Sequence, residues 1–283
     1  MPAWAERARA AVAALALAGL AAAAGPASAQ TFDLVSKKAF RVCADPANMP
    51  FSNEAEEGFE NEIAELFAER LGLPVQYEWY PMATGFIRNT LADKKCDVVI
   101  GYAQGHEMVL NTNHYYVSAY ALVVPEDGPL AGVETLGDAA LRGTRLGVVA
   151  GSPPASHLAR HGLIGKAKPY ALMVDRRHES PNEDMIADLV AGEIDGALMW
   201  GPIGGWMAQE ADAGLKVIPL INETETPRLF YRITMGVRQG ELVWKRELNS
   251  LIRRNQEEID RILASYGVPL LEDFGGELKV VGQ

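Results

Sequence analysis

Five acids, Glu54, Glu56, Glu57, Glu60 and Glu62, crowd one loop and the helix start that follows it, a set of oxygens that suits a hard cation such as calcium or a lanthanide. Their spacing lacks the D-x-[DN]-x-[DN]-G register of a calcium loop, and the helix dipole alone gathers acids at N-termini, so no metal is expected there. Of the five histidines, His106, His114, His157, His161 and His178, only His157 and His161 share a ligand-like spacing, at i, i+4, which reads as an exposed helix face. There is no HExxH, no nucleophile set beside a base, and no pair of acids on one element beyond ordinary surface spacing. Gly201-Pro202-Ile203-Gly204-Gly205 lacks the GK[ST] of a phosphate loop and reads as a tight exit from a strand before the next helix. The chain is expected to bind rather than to catalyse, without a cofactor.

Two cysteines complete the reactive inventory, Cys43 in a first strand and Cys96 just before an apolar strand. Neighbouring parallel strands would bring them together, and an oxidising compartment lets them pair; two buried thiols are the alternative. The compartment is indicated by the first residues. Arg7 and Arg9 precede an apolar run at 10–24, and Ala27-Ser28-Ala29 offers a small-x-small cleavage site, so residues 1–29 read as a secretory signal peptide and the mature chain as periplasmic. A retained anchor is the rival, but the run is short, Ala-rich and without a stop-transfer flank. Removing Glu6, Arg7 and Arg9 takes the formal charge from −11 to −12. Such a surface disfavours nucleic acid and anionic lipid and suits a cationic partner.

These residues need a scaffold, and the pattern describes one. A strand at 41–44, a loop held out of helix by Pro46 and Pro50, and a helix carrying Ile63, Leu66, Phe67 and Leu71 on one face end at Gly72. Strands follow at 75–79, 97–100 and 119–124, with a helix at 84–93 between the first two. After the breaker cluster at 125–129 a second set begins: strand 145–149, a helix from 153, strand 170–174, helix 182–191 and strand 196–199. A last strand at 232–237 and a helix at 242–264 return the chain to the first set. The fold class is α/β with two lobes, residues 30–122 with 233–283 and residues 123–232, each a mixed, mainly parallel sheet flanked by helices. Crossovers near 118–125 and 226–234 would form a hinge beside a central cleft.

In order and motifs the mature chain resembles the type II periplasmic solute-binding proteins of the amino-acid class, through Asn48-Met49-Pro50-Phe51 after strand one and Gly58-Phe59-Glu60 at the helix start. That resemblance implies three devices for a free amino acid, and none is present. The Arg expected to clamp an α-carboxylate with its bidentate fork falls at Met108, and no Lys or Arg lies between Cys96 and Leu141. The acid expected to pair with the α-ammonium, five residues after Asp195, falls at Trp200. Ser152 can cap the next helix, but Pro153 and Pro154 remove two N–H groups from an anion nest. What remains near the implied cleft is Phe51, Phe59, Trp79, Tyr80, Phe86, Tyr102, Met199, Trp200 and Trp206, a surface for a hydrophobic ligand or a protein segment.

The strings CADPANMPFSN, GFENEIAELFAERLG, GFIRNTLADKKCDVVIG, ARHGLIGKAKPYALMVD and GEIDGALMWGPIGGW sharpen the resemblance, to the quinoprotein dehydrogenase-associated branch known as the J proteins of methanol-oxidation gene clusters (MxaJ and XoxJ). What this implies is a periplasmic, non-catalytic accessory protein, monomeric by default, that serves a pyrroloquinoline-quinone (PQQ)-dependent alcohol or methanol dehydrogenase of the calcium or lanthanide type, with its c-type cytochrome as a further partner. The rival expectation is a receptor that delivers a small solute, not an amino acid, to an ABC importer.

Overall fold

The computed structural model describes residues 34–105, 107–172, 174 and 179–282. The expected leader, His106, His178 and part of the strand expected at 170–174 lie outside these residues. β1 (Phe40–Ala44) runs parallel to β4 (Val75–Trp79) on one side and to β5 (Val98–Ala103) on the other. Between β1 and β4 come a small antiparallel hairpin, β2 (Ala47–Asn48) with β3 (Ser52–Asn53), and helix α1 (Phe59–Leu71), closed by Gly72 at φ 65°. Phe59, Ile63 and Phe67 of α1 are fully buried against the sheet, each contributing about 1.5–3 kcal/mol of transfer free energy. The disulfide Cys43–Cys96, Cα atoms 5.4 Å apart, ties β1 to the turn that opens β5.

A second set of strands carries a separate core. β7 (Leu146–Val149) lies parallel to β8 (Lys168–Tyr170) and β9 (Gly196–Trp200), covered by α3 (Pro153–Arg160), α4 (Pro181–Val190) and α5 (Gly201–Glu210). The two sets are joined through β6 (Leu110–Pro125), which runs for 16 residues without a break. Its first part pairs antiparallel with β11 (Phe230–Val237), itself paired with β5. Its last part pairs antiparallel with β9 and with β10 (Leu215–Pro219). The strand order is β4-β1-β5-β11-β6-β9-β7-β8, parallel toward both ends and antiparallel in the middle, with β10 also on β6.

Four departures from the sequence reading have local causes. The helix expected at 242–264 is two, α6 (Leu242–Arg254) and α7 (Gln256–Ser265), because Asn255 turns its side-chain amide onto the Leu251 carbonyl at 2.7 Å and accepts from Arg70 Nε at 3.0 Å. The helix expected at 84–93 is the single turn α2 (Phe86–Asn89), left at Thr90, whose hydroxyl donates to the Phe86 carbonyl at 2.7 Å. Gly201 to Gly205 lie inside α5 rather than before it. A Cβ on Gly201 would sit 2.3 Å from the Ala119 carbonyl oxygen and one on Gly205 1.9 Å from that of Gly267, so these glycines let a helix touch backbone on two sides. Finally, His157 is buried rather than on an exposed face, because Pro154, His157 and Leu158 share the inward side of α3.

Candidate functional site

A cleft of about 380 Å³ opens where the loop after β1, the start of α1, the ends of β5 and β9 and the N-termini of α3 and α5 meet. Its near wall is set by Asp45, whose Oδ1 accepts from Ala47 N at 2.9 Å and Oδ2 from Met82 N at 2.6 Å, while its carbonyl accepts from the Ser52 hydroxyl at 2.8 Å. That bracing presents Phe51 to the cleft, with its ring 5.1 Å from Phe59 behind it. Opposite, Trp200 ends β9 and packs edge-on against Tyr120 and Tyr231 at 5.4 and 5.8 Å. Burial and then the neighbouring Tyr231 push the Tyr120 hydroxyl up to about 12, so this aromatic wall carries no charge at neutral pH.

Glu60 is the one carboxylic acid among the described residues that line the cleft. It lies in the first turn of α1, 6% exposed, with its carboxyl so close to β5 that a Cβ on Gly101 would sit 1.8 Å from Oε1. Burial, with Asp45 adding to it, pushes its pKa up to about 8, so the carboxylic acid form dominates at neutral pH and can donate a hydrogen bond into the cleft. Across from it, the Ser152 hydroxyl is buried without a hydrogen-bond partner among the described residues, and it caps no N–H of α3, whose first two residues are Pro153 and Pro154.

Residues 40–269 match the family described as bacterial extracellular solute-binding proteins, family 3. The chain belongs to this family. Within it the chain lies on the MoxJ/MxaJ/XoxJ branch. It is 29% identical over 280 residues to the protein MoxJ of Methylorubrum extorquens, covering 90% of this chain and 92% of that one. It is 40% identical to the crystal structure of the periplasmic binding protein XoxJ from Methylobacterium extorquens AM1, with a TM-score of 0.70 over 83% of this chain and all of that one. It is 25% identical to MxaJ from Methlophaga aminisulfidivorans MPT, with a TM-score of 0.72 over 82% of this chain and all of that one. The fold is the two-lobed type II architecture of these solute-binding proteins.

For a solute-binding protein the cleft is unusual in its charge: no Lys or Arg is among the described residues that line it. Of the side chains expected there, Phe51, Ser152, Met199 and Trp200 do line it. Phe59 is fully buried one layer behind, against Tyr116 and Tyr266. Trp79 stacks on Tyr77 at 4.5 Å along β4. Tyr80, Phe86 and Tyr102 pack around the disulfide. Met108 is 52% exposed and does not line the cleft, and Trp206 lines a separate hollow of about 110 Å³ beside Met49 and Asn182. Tyr102 falls elsewhere because its neighbours on β5, Gly101 and Ala103, face the cleft and strand alternation turns it away, while Phe59, Phe86 and Trp206 stand on helices.

The sequence reading missed Glu60, Tyr116 and Tyr120 as cleft residues. For Glu60 a signal existed: positions 60, 63, 64 and 67 form one helical face, so an acid stands in the register of the buried stripe. Tyr116 had no such signal, because the stretch 110–118 does not read as strand without its partner β11, and Tyr120 stood in the strand expected at 119–124 with nothing to say which face it takes.

Proposed function

We propose that this protein is a non-catalytic periplasmic accessory of a PQQ-dependent methanol or alcohol dehydrogenase system, and that its cleft grips an exposed segment of the dehydrogenase to assist its maturation or activation. In this reading residues 1–29 are a cleaved signal peptide, residues 30–122 with 233–283 form the first lobe, and residues 123–232 form the second. The likeness to MoxJ, XoxJ and MxaJ supports the system. The observation that carries the cleft's role is its lining: Phe51, Tyr116, Tyr120, Met199 and Trp200, with no Lys or Arg among the described residues that line it. A pocket of about 380 Å³ is at the small end of the usual ligand range and admits one or two bulky side chains of a partner. Glu60 as a neutral acid and the free hydroxyl of Ser152 supply two polar anchors for the backbone or an amide of such a segment.

The acidic surface adds a second element. The full sequence carries a formal charge of −11, which steers encounter with a cationic dehydrogenase or cytochrome face and makes association weaken as salt rises. The test is a pull-down of the mature protein against periplasmic extract of its source. Capture of a quinoprotein dehydrogenase or its cytochrome, lost with Trp200→Ala, supports the reading. Failure to capture either, with a small molecule released on denaturation, overturns it in favour of solute transport.

A further inference from the structure

We propose that His157, His161 and Glu223 form a binding site for one divalent transition cation, zinc before others, at the far end of α3 from the cleft. His157 and His161 are four residues apart at the C-terminal end of this helix and so share a face. Glu223 reaches them from the loop between β10 and β11, and one ligand atom from each residue falls within 4.8 Å of the others. Glu223 Oε2 is 3.4 Å from His157 Nδ1 and 3.6 Å from His161 Nε2. Four ligands about 2.0–2.2 Å from a tetrahedral zinc lie about 3.3–3.6 Å from one another, so these two distances match edges of that polyhedron, with the third pair within 4.8 Å.

The hydrogen bonds around the site fix the direction of the lone pairs. His157 Nε2 lies 2.8 Å from the Pro227 carbonyl, which can only accept, so the ring hydrogen is on Nε2. In the neutral ring Nδ1 is an acceptor; it is fully buried, has no hydrogen-bond partner among the described residues, and faces the carboxylate of Glu223. The other oxygen of Glu223 takes the Leu136 N–H at 2.6 Å, which holds Oε2 toward the imidazoles. Facing acceptors on buried groups are unfavourable unless a proton or a metal cation lies between them, and three converging ligand atoms suit the metal. An imidazole whose second nitrogen donates to a backbone carbonyl, and a carboxylate oriented by a backbone N–H, are the outer supports that metal ligands use.

Access and selectivity follow from the third ligand. The His161 side chain is 31% exposed, against 0% for His157 and 7% for Glu223, so an ion enters past it and a water completes the fourth position. The ring lies against Gly137, where a Cβ would come within 3.4 Å of Cε1. Two imidazoles and one carboxylate suit zinc, copper, nickel or iron rather than calcium or a lanthanide, which take six to eight oxygens. The nearest cationic side chain on α3, Arg160, pairs with Glu225 at 2.9 Å and leaves Glu223 to the histidines. Occupancy would fasten the loop feeding β11 to α3, independently of what the cleft binds.

The experiment uses untagged mature protein stripped with a chelator, then titrated with zinc chloride by calorimetry and desalted for metal analysis, with cobalt(II) as a spectroscopic stand-in. The expected result is one zinc per chain, a higher melting temperature with zinc, and the visible bands of four-coordinate cobalt. His161→Ala, at a half-exposed position, and Glu223→Gln should each weaken zinc binding more than about 100-fold while keeping the far-ultraviolet circular dichroism of the parent. No uptake by the stripped protein, or equal uptake by His161→Ala, overturns the site and leaves an imidazolium–carboxylate pair.

Discussion

Replacing Glu60 by Gln should stabilise this protein, and by an amount that depends on pH. In the unfolded chain a Glu carboxyl titrates near 4.5; in the fold burial and Asp45 lift it to about 8. Between these two values the folded state holds a proton that the unfolded state has released, so the stability of the parent falls as pH rises through this window. A separation of about 3.5 pH units at about 1.4 kcal/mol per unit sets a ceiling of about 5 kcal/mol for the cost of ionised Glu60 above pH 8. At pH 7 the ceiling is about 3 kcal/mol. Gln has the same shape and never ionises, so the variant lacks this slope. Urea unfolding of both proteins at half-unit steps from pH 4.5 to 9 reads the difference directly. The variant should match the parent near pH 4.5 and gain steadily up to pH 8, after which the two curves run parallel. A stability difference that stays constant across pH 5–8 would refute the reasoning, since it would mean that Glu60 titrates alike in both states.

Asp97 should behave in the opposite sense. Burial pushes its carboxyl up, but hydrogen bonds from Arg41 and Arg238, both below 3 Å, outweigh this and leave its pKa lowered, so its contribution is present above the unfolded carboxylate range and lost as pH falls through the folded value. Asp97→Asn should cost about 3 kcal/mol at pH 7 in urea unfolding, because it removes the carboxylate that Arg41 and the nearly buried Arg238 share and leaves Arg238 with Glu241 alone. Replacing Cys43 and Cys96 together by Ser removes a cross-link between positions 53 apart and should cost about 4 kcal/mol in the same assay, with reduction of the parent giving a comparable loss. Trp200→Ala should leave partner-free stability reduced by about 3 kcal/mol or less, since its ring is only partly buried, yet abolish capture of the dehydrogenase partner; retained capture would move the contact elsewhere.

Periodicity made much of the scaffold legible. The apolar face of α1, the short strands β4, β7 and β9 and the return of the chain through β11 all follow from patterns of 3.6 or 2 residues and from Gly and Pro stops. Where the reading went astray, the deciding partner was distant in sequence. Asn255 breaks a continuous amphipathic pattern because Arg70, 185 residues away, holds its side chain. β10 is an element the sequence pattern does not mark, and it forms by pairing with β6. The cleft was half legible for the same reason: Phe51 and Trp200 stand at strand or loop ends where any side chain must face out of the sheet, whereas Glu60 and His157 looked like surface charges and are enclosed by residues from β5 and from the loop at 223–227.

The uninterrupted run of β6 from one core to the other decides how the molecule can deform. A link made of loop swings freely, but this one is held at the crossing: on one edge Tyr120 N–H donates to the Leu229 carbonyl at 2.7 Å and its own carbonyl accepts from Leu220 N–H at 2.9 Å, and on the other edge β9 pairs from Tyr120 onward. Bending it away from its neighbours would break those bonds, whereas neighbouring strands tolerate roughly 10–35° of relative twist with the ladder intact. Any widening of the cleft should therefore be a torsion about β6, elastic and graded, with its amide protons staying protected from solvent exchange throughout.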